Sequence, residues 1–582
     1  MKRTKIVATI GPASDSEEML ELLLKEGVDV CRLNFSHGTR QEHLERIKKI
    51  KKLRDKLNLP VALMLDTKGP EIRLGTFRDM KEFYLESGDK YILTTREIEG
   101  EEGISSVSYK NLPEDLNEGS RILIDDGLIS MIVNKVEGSE IYCTVENGGM
   151  ISSRKGLNLP GVKVNLPAIT EKDIEDIEFG IENDIDFIAA SFVRSRQDVL
   201  NIRKILEDRG NYDIRIIAKV ESKQGLDNLD EILEVSDGIM VARGDLGVEI
   251  MTEEVPLAQK LMIKKCNLAG KPVITATQML DSMMRNPRPT RAEANDVANA
   301  VLDGSSAVML SGETASGKYP LLAVKTMRKI IEVTERSIDF KELLKKKIDQ
   351  NSDTIVNAIG KSACTIAGDL NAKAIITATT SGSTTRAIAK FMPKADIIAV
   401  TVNEKIRRQL NLEWGTVAIT GEPLTNTDDV LENSVKRSIE EGLIGPGDTL
   451  VLTAGVPVGL SGSTNLIKVQ TVSEIIGRGV GFGFSNVTGS ALVVNSIDDL
   501  IYKFKAGDIL ILNNTDKEIM EYVKKASAIV AEVEGYTSHA AITGLSLNLP
   551  TVVGVKNARK LIKTGDIVSL NPLEGLVKKG MS

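Results

Sequence analysis

The chain has 582 residues, more than one domain usually holds, and its 42% hydrophobic and 27% charged content reads as ordinary globular protein. A formal net charge of −8 with no long basic run argues against a nucleic-acid binder. Cys31, Cys143, Cys266 and Cys364 form no CxxC pair or metal-finger spacing, and no apolar run suits a signal peptide or a bilayer span, so a reduced, cytoplasmic, membrane-free setting is expected.

Short apolar runs alternate with helix-period stretches over the first part of the chain. They are KIVATIG (5–11), VDVCRLNFS (28–36), VALMLDT (61–67), FIAASFV (187–193), RIIAKVE (215–221), GIMVARGDL (238–246), PVITATQM (272–279) and AVMLSGET (307–314). Each has the length of a buried parallel strand. Helical stretches such as EEMLELLLKEG and QEHLERIKKIKKLRDKL follow most of them, and eight strand–helix units make a (β/α)8 barrel. The spacing breaks after the third strand. Residues 70–167 carry short alternating strands (RILIDDGLISMIV, EIYCTVENGG) and turn glycines, which predict a small β-barrel inserted in a βα-loop, where it can serve as a lid. The barrel is then residues 1–69 and 168–339.

Strand–helix alternation resumes over 340–473 (AKAIITATTSGSTTRAIAKF, DIIAVTVNEKIRRQL, TVAIT, GDTLVLTAG), predicting a smaller open α/β domain. The glycine-rich IIGRGVGFGFSNVTGS follows, with GRGVGFG read as a linker, and residues 474–582 form a fourth unit. The fold class is α/β throughout.

A barrel puts its chemistry at the carboxyl ends of its strands. Those ends carry Arg32, Asn34 and Ser36, then Asp66, Thr67 and Lys68, then Lys219 and Glu221. Farther on come Arg243, Gly244 and Asp245, Thr277 and Gln278, and Ser311 and Glu313. Glu221 and Asp245 are hard oxygen donors on neighbouring strands and suit Mg²⁺ completed by substrate oxygens and water. Lys219 alternates with Glu221, so both can face inward, where an ammonium stabilises growing negative charge. Asn34, Ser36, Asp66 and Thr67 form an oxygen set with a single charge, which suits a large monovalent cation. Arg32 and Arg73 suit bidentate binding of phosphate or carboxylate. The inventory points to metal-assisted chemistry on a phosphate-bearing carboxylate.

The segments RLNFSHG, LDTKGPEIR, IIAKVESKQGLDNLDEI, VARGDLGVEI, ATQMLDSM and MLSGETASGKYP resemble, in order, the signature segments of the pyruvate kinase family over residues 1–473. The resemblance implies transfer of the phosphoryl group of phosphoenolpyruvate to ADP, the last step of glycolysis, in a homotetramer that uses Mg²⁺ (or Mn²⁺) and K⁺. It implies that Glu221 and Asp245 hold the divalent ion and that Lys219 neutralises the phosphoryl group and the enolate. Gly244, Asp245 and Thr277 then meet the carboxylate end of the substrate, with Thr277 near the proton path. Arg32 and Arg73 meet phosphate, Arg32, Asn34, His37 and Lys155 face the nucleotide, and Asn34, Ser36, Asp66 and Thr67 hold K⁺. Glu71 stands where K⁺-dependent members carry Glu.

Other motifs are weaker. GETASGKY (312–319) nearly matches a P-loop but ends in Tyr319, which cannot place a hydroxyl on Mg²⁺. His43 is expected at the surface. TTSGSTTR (379–386) opens a helix, with Thr380, Ser381, Gly382, Ser383 and Thr384 able to meet a phosphate. The alternative is ordinary capping, while the family resemblance implies an activating sugar phosphate or AMP. The stretch EVEGYTSHAAITGLSLNLPTVVG resembles the phosphohistidine domain of phosphoenolpyruvate-utilising enzymes, around His539. It departs from that pattern at Glu534 and at Gly544-Leu545, where a glycine and Ala-Arg are usual, so a docking role is expected rather than a phosphorylated His539. A different metal-dependent keto-acid enzyme, an aldolase or lyase, and a non-enzymatic phosphate sensor are the alternative functions.

Overall fold

The computed structural model describes residues 2–167, 169–349, 354–455 and 464–580. Residue 168, the expected return point into the barrel, lies outside them. The eight apolar runs form eight strands: β1 (Lys5–Thr9), β2 (Val30–Asn34), β3 (Ala62–Asp66), β4 (Phe187–Ala190), β5 (Arg215–Val220), β6 (Gly238–Ala242), β7 (Val273–Ala276) and β8 (Ala307–Leu310). They pair in parallel and in chain order, and β8 pairs back onto β1, closing the barrel. Val7, Val30, Met64, Phe187, Met240 and Ile274 fill its interior, while the outward positions form the larger cluster under the helices. Removing such side chains from water contributes about 1.5–3 kcal/mol each.

Local signals agree with the fold. The helix Arg40–Leu57 starts in a capping box of Thr39 and Glu42, and Arg291–Asp303 starts in one of Thr290 and Glu293. The sixth run is shorter than read, because the strand stops at Ala242 and Arg243–Glu249 is helical. The residues expected to extend the strand thus become the first turn of a helix at the barrel mouth.

Between β3 and the helix Glu171–Glu182 lies a seven-stranded sheet whose end strands are Ile72–Arg73 and Ile104–Ser106. Leu74 and Val107 bridge the two ends, and the Ser108 N–H donates to the Arg73 carbonyl at 2.8 Å. The sheet therefore curls into a small barrel around Tyr91, Leu93, Ile122, Met131 and Ile141.

The chain forms two compact units. The first is Met1–Asp353 with Thr380–Met392 and Thr401–Thr420. Within it, Arg408 pairs with Asp186 at 2.7 Å, and Arg215, the first residue of β5, donates to Gln409 at 2.9 Å. The second unit holds strands Ala374–Ala378, Thr449–Gly455 and Thr464–Thr471 and a separate eight-stranded sheet from residue 474 onward.

That last sheet corrects the reading of GRGVGFG as a linker. Residues Glu474–Arg478 and Val480–Phe482 are two of its strands, one at each end of the sheet. The glycines serve close packing: a Cβ on Gly479 would sit 2.1 Å from the Val553 carbonyl oxygen, and one on Gly481 would sit 1.8 Å from that of Pro572. His43 is also not at the surface. It is 2% exposed, stacks on Phe35 at 4.1 Å, and its Nε2 lies 2.9 Å from the His37 carbonyl oxygen.

Candidate active site

The strand ends converge as one charged chain. The Arg32 guanidinium donates to Thr9 (2.9 Å) and to one oxygen of Asp66 (2.5 Å). The other Asp66 oxygen accepts from Lys219 at 3.0 Å. Lys219 also donates to the Ser191 hydroxyl at 2.8 Å and pairs with Glu221 at 2.9 Å. Asp66 and Glu221 are 0% and 1% exposed, and Lys219 9%. Groups this deep hold charge only through one another. Burial opposes the Lys219 ammonium, but Asp66 and Glu221 together outweigh it and hold the amine above its ordinary range. Burial also works against the Asp66 carboxylate, and Arg32 and Lys219 overcome it, keeping that group below its usual range.

In the two candidate metal carboxylates burial outweighs the relief that Lys219 gives. Burial pushes Glu221 up to about 7; Lys219 counters this and Asp245 adds to it. Asp245 is likewise raised by burial, against Lys219 and with Asp126 and Glu71 adding to the rise. Paired desolvated carboxylates of this kind fit a divalent cation, which would restore both as anions. Among the described residues no three His, Cys, Asp or Glu converge on one point. A cation held here would need further ligands from substrate and water, as Mg²⁺ commonly does.

Local strain gathers at the same place. Phe192 has φ 53° and its N–H donates to Glu221 at 2.6 Å. Thr277 and Gln278 have φ 66° and 55°. The Thr277 hydroxyl accepts from the Gly244 N–H (2.8 Å) and donates to the Ala276 carbonyl (2.6 Å). Non-glycine residues in this region cost about 1–3 kcal/mol each and concentrate at functional sites.

A cavity of about 610 Å³ opens between the inserted sheet and the barrel mouth, lined by Arg73, Asp125, Lys155, Arg194, Asp245 and Glu249 among others. Arg73 donates to Glu71 (2.7 Å) and to the Arg154 carbonyl (2.8 Å), and Lys155 pairs with Asp125 at 2.7 Å. Arg194 holds the chain returning from the insert by donating to the carbonyls of Val164 (2.9 Å) and Leu166 (2.6 Å).

The remaining expected residues divide. Asn34 and Asp66 are register partners on β2 and β3, and the Asn34 side chain accepts from the Ser36 N–H at 3.1 Å. Thr67 accepts from the Ser191 N–H at 3.1 Å, so the oxygen set shares one end of two neighbouring strands. His37 is exposed and is not part of the cavity lining. Glu313 is structural: buried, it accepts from the N–H groups of Leu280 (3.0 Å) and Ser311 (2.8 Å).

In the loop 380–384, Gly382 (φ 80°) caps the short helix Ser383–Ala389, and Thr384 is 4% exposed. The Ser381 carbonyl accepts from Arg215 (3.2 Å) and Arg386 (3.1 Å). Ser191 has no place in the sequence inventory. Its signal is a hydroxyl just past β4, the same kind of strand-end residue as Ser36 and Ser311.

In the second unit, His539 is exposed at the start of the helix His539–Leu547. Its Nδ1 lies 2.6 Å from the Thr515 hydroxyl and 3.3 Å from that of Thr543. Ser538 caps the helix, accepting from the Ala541 N–H at 3.3 Å.

Comparison with known proteins identifies the family. Family profiles described as "Pyruvate kinase, barrel domain" and "Pyruvate kinase, alpha/beta domain" match residues 1–324 and 357–470. One described as "PEP-utilising enzyme, mobile domain" matches 504–575. The chain is 51% identical over 582 residues to a pyruvate kinase of Staphylococcus epidermidis, covering 100% of this chain and 99% of that protein. It is 50% identical over 581 residues to one of Geobacillus stearothermophilus, with the same coverage. A crystal structure of a pyruvate kinase from Cryptosporidium parvum superposes with a TM-score of 0.77 at 42% identity, over 81% of this chain and 96% of that one. The chain belongs to the pyruvate kinase family.

Proposed function

We propose that the chain transfers the phosphoryl group of phosphoenolpyruvate to ADP, giving pyruvate and ATP. The observation that carries this reading is the buried ammonium of Lys219 held between Asp66 and Glu221, with Asp245 in the first turn of the helix that follows the next strand. Phosphoryl transfer asks a protein mainly for alignment and for charge where charge develops. Lys219 supplies positive charge to the transferred group and to the enolate left behind. Arg32 and Arg73 grip phosphate, and Lys155 lies in the cavity wall toward the nucleotide. The Gly244 N–H and Thr277 hydroxyl orient the carboxylate end of the substrate, with Thr277 close to the carbon that takes the proton. The inserted sheet covers the cavity and keeps water from competing with ADP.

A divalent ion, Mg²⁺ or Mn²⁺, held by Glu221 and Asp245 would neutralise substrate oxygens together with the phosphoryl group. K⁺ held by Asn34, Ser36, Asp66 and Thr67 would add positive charge beside them. His37 and Asn34 complete the nucleotide side, and Glu71, paired with Arg73, marks K⁺ dependence. A homotetramer in the cytoplasm, activated by a sugar phosphate or AMP at residues 380–384, belongs to the same reading. Because Thr384 is buried, Ser381 and Ser383 are the hydroxyls to substitute there.

The deciding experiment is a coupled assay of the full chain with phosphoenolpyruvate and ADP. Pyruvate and ATP are expected in equal amounts, with the rates of both falling together in Lys219→Met. Pyruvate without ATP would overturn the reading, as would turnover of a keto acid without any nucleotide.

A further inference from the structure

The end of β7 adopts a backbone that its residues disfavour. Thr277 (φ 66°) and Gln278 (φ 55°) are successive non-glycine residues in the left-handed region, and Thr277 is β-branched. Such a conformation persists only where surrounding bonds over-determine it. One guanidinium does most of that here. Arg243 Nε donates to the Ala276 carbonyl at 3.2 Å, and one terminal nitrogen donates to the Thr277 carbonyl at 2.6 Å and meets the Met279 sulfur at 2.8 Å. The other terminal nitrogen is anchored on Asp296 at 2.7 Å, with Gln259 at 3.4 Å. Two successive carbonyls thus converge on one planar cation, a geometry that a rigid fork satisfies and a point charge does not. The next residue, Gly244, closes the arrangement by donating its N–H to the Thr277 hydroxyl at 2.8 Å. Arg243 also begins the helix that carries Asp245.

We propose that Arg243 is a positioning residue of this site. Its guanidinium locks the left-handed turn at Thr277–Gln278 and so sets the Thr277 hydroxyl and the Gly244 amide in one fixed register between β6 and β7. It touches neither reactant. The proposal rests on the phosphoryl-transfer reading and adds a residue to it. Because it fixes geometry rather than affinity, its loss falls on turnover and on delivery of the proton to the enolate carbon.

The test uses the full chain and measures kcat, KM for phosphoenolpyruvate and for ADP, and uptake of deuterium into the pyruvate methyl group in D2O. Arg243→Gln is expected to lower kcat by about 10²-fold. Both KM values should stay within about three-fold and deuterium uptake should fall in step with kcat. Arg243→Lys is expected to remain as poor, since it keeps the charge without the fork. Adding Gln278→Gly to Arg243→Gln is expected to recover about ten-fold, because glycine enters the left-handed region without the clamp. A kcat within about three-fold of wild type, a loss confined to KM, or a double variant no better than Arg243→Gln would each overturn the proposal. Should Arg243→Gln fail to fold, Asp296→Asn keeps the guanidinium and frees its anchor. A drop in its kcat of about ten-fold supports the proposal, and a wild-type kcat overturns it. Failure of the wild-type chain itself to make ATP would remove the reading beneath, not the clamp.

Discussion

The barrel mouth and the His539 helix are both clusters of polar side chains at the start of a helix or the end of a strand, yet they are built in opposite ways. At the mouth, Asp66, Lys219 and Glu221 are buried, ionisable and mutually dependent, so each influences its neighbour's ionisation state. Around His539 the hydrogen-bond partners of the ring are two neutral threonine hydroxyls, and the ring is exposed. Charge in a dry site interacts strongly with a reacting phosphate, whereas the same interaction at the surface is screened by water. A rare residue in a short motif is therefore a weaker sign of chemistry than a set of common charged residues that burial forces to cooperate.

The largest test of that contrast is Lys219→Met. Loss of the ammonium that bridges two carboxylates is expected to reduce kcat by about 10²–10³-fold in the coupled assay. Retention of turnover would erase the distinction between the two clusters. Next comes replacement of K⁺ by choline at constant ionic strength, where a fall of about ten-fold or more is expected from the oxygen set at the ends of β2 and β3. Undiminished rates would detach that set from the site.

A third test uses stability. Because Glu221 is raised to about 7, the folded chain between the ordinary carboxylate range and that value keeps a proton that the unfolded chain has released. Stability of the metal-free protein therefore falls as pH rises through this window and stays low above it. Glu221→Gln is expected to stabilise the metal-free first unit by on the order of 1–3 kcal/mol near pH 8, with the gain shrinking toward pH 5, while abolishing turnover. Thermal melts of both proteins in chelator would check this, and equal melting at both pH values would refute it. The smallest expected effect is His539→Ala, with kcat within about two-fold of wild type and no acid-labile label from labelled phosphoenolpyruvate on the parent chain. A label lost in the variant would move His539 into the company of Lys219.

Legibility followed burial. All eight barrel strands could be read because a strand covered on both faces is a continuous apolar run of limited length. Asp66 and Glu221 could be read as candidates because they end such runs. The pairing of Arg32 with Asp66 could not, since their 34-residue separation says nothing about which strand ends face one another. His43 was misread because its environment, the Phe35 ring and the His37 carbonyl, is created by the helix folding back over its own entry loop. GRGVGFG was misread because glycine in a strand carries no apolar signal, although the backbones of Val553 and Pro572 approach so closely that no side chain fits. Truncation studies of the last module should accordingly cut between the strands Thr464–Thr471 and Glu474–Arg478.

Local pattern by itself determined the number and order of the barrel strands, the position of the insert and the residues offered at the strand ends, because periodicity and turn chemistry act over a few residues. Tertiary structure alone decided which of those groups share a proton or a charge. It buried Glu221 beside Asp245, tied Lys219 to Ser191, and bent Thr277 under the guanidinium of Arg243. Electrostatic coupling and backbone strain depend on distance and dielectric, and both are set only when strands remote in sequence close into one wall.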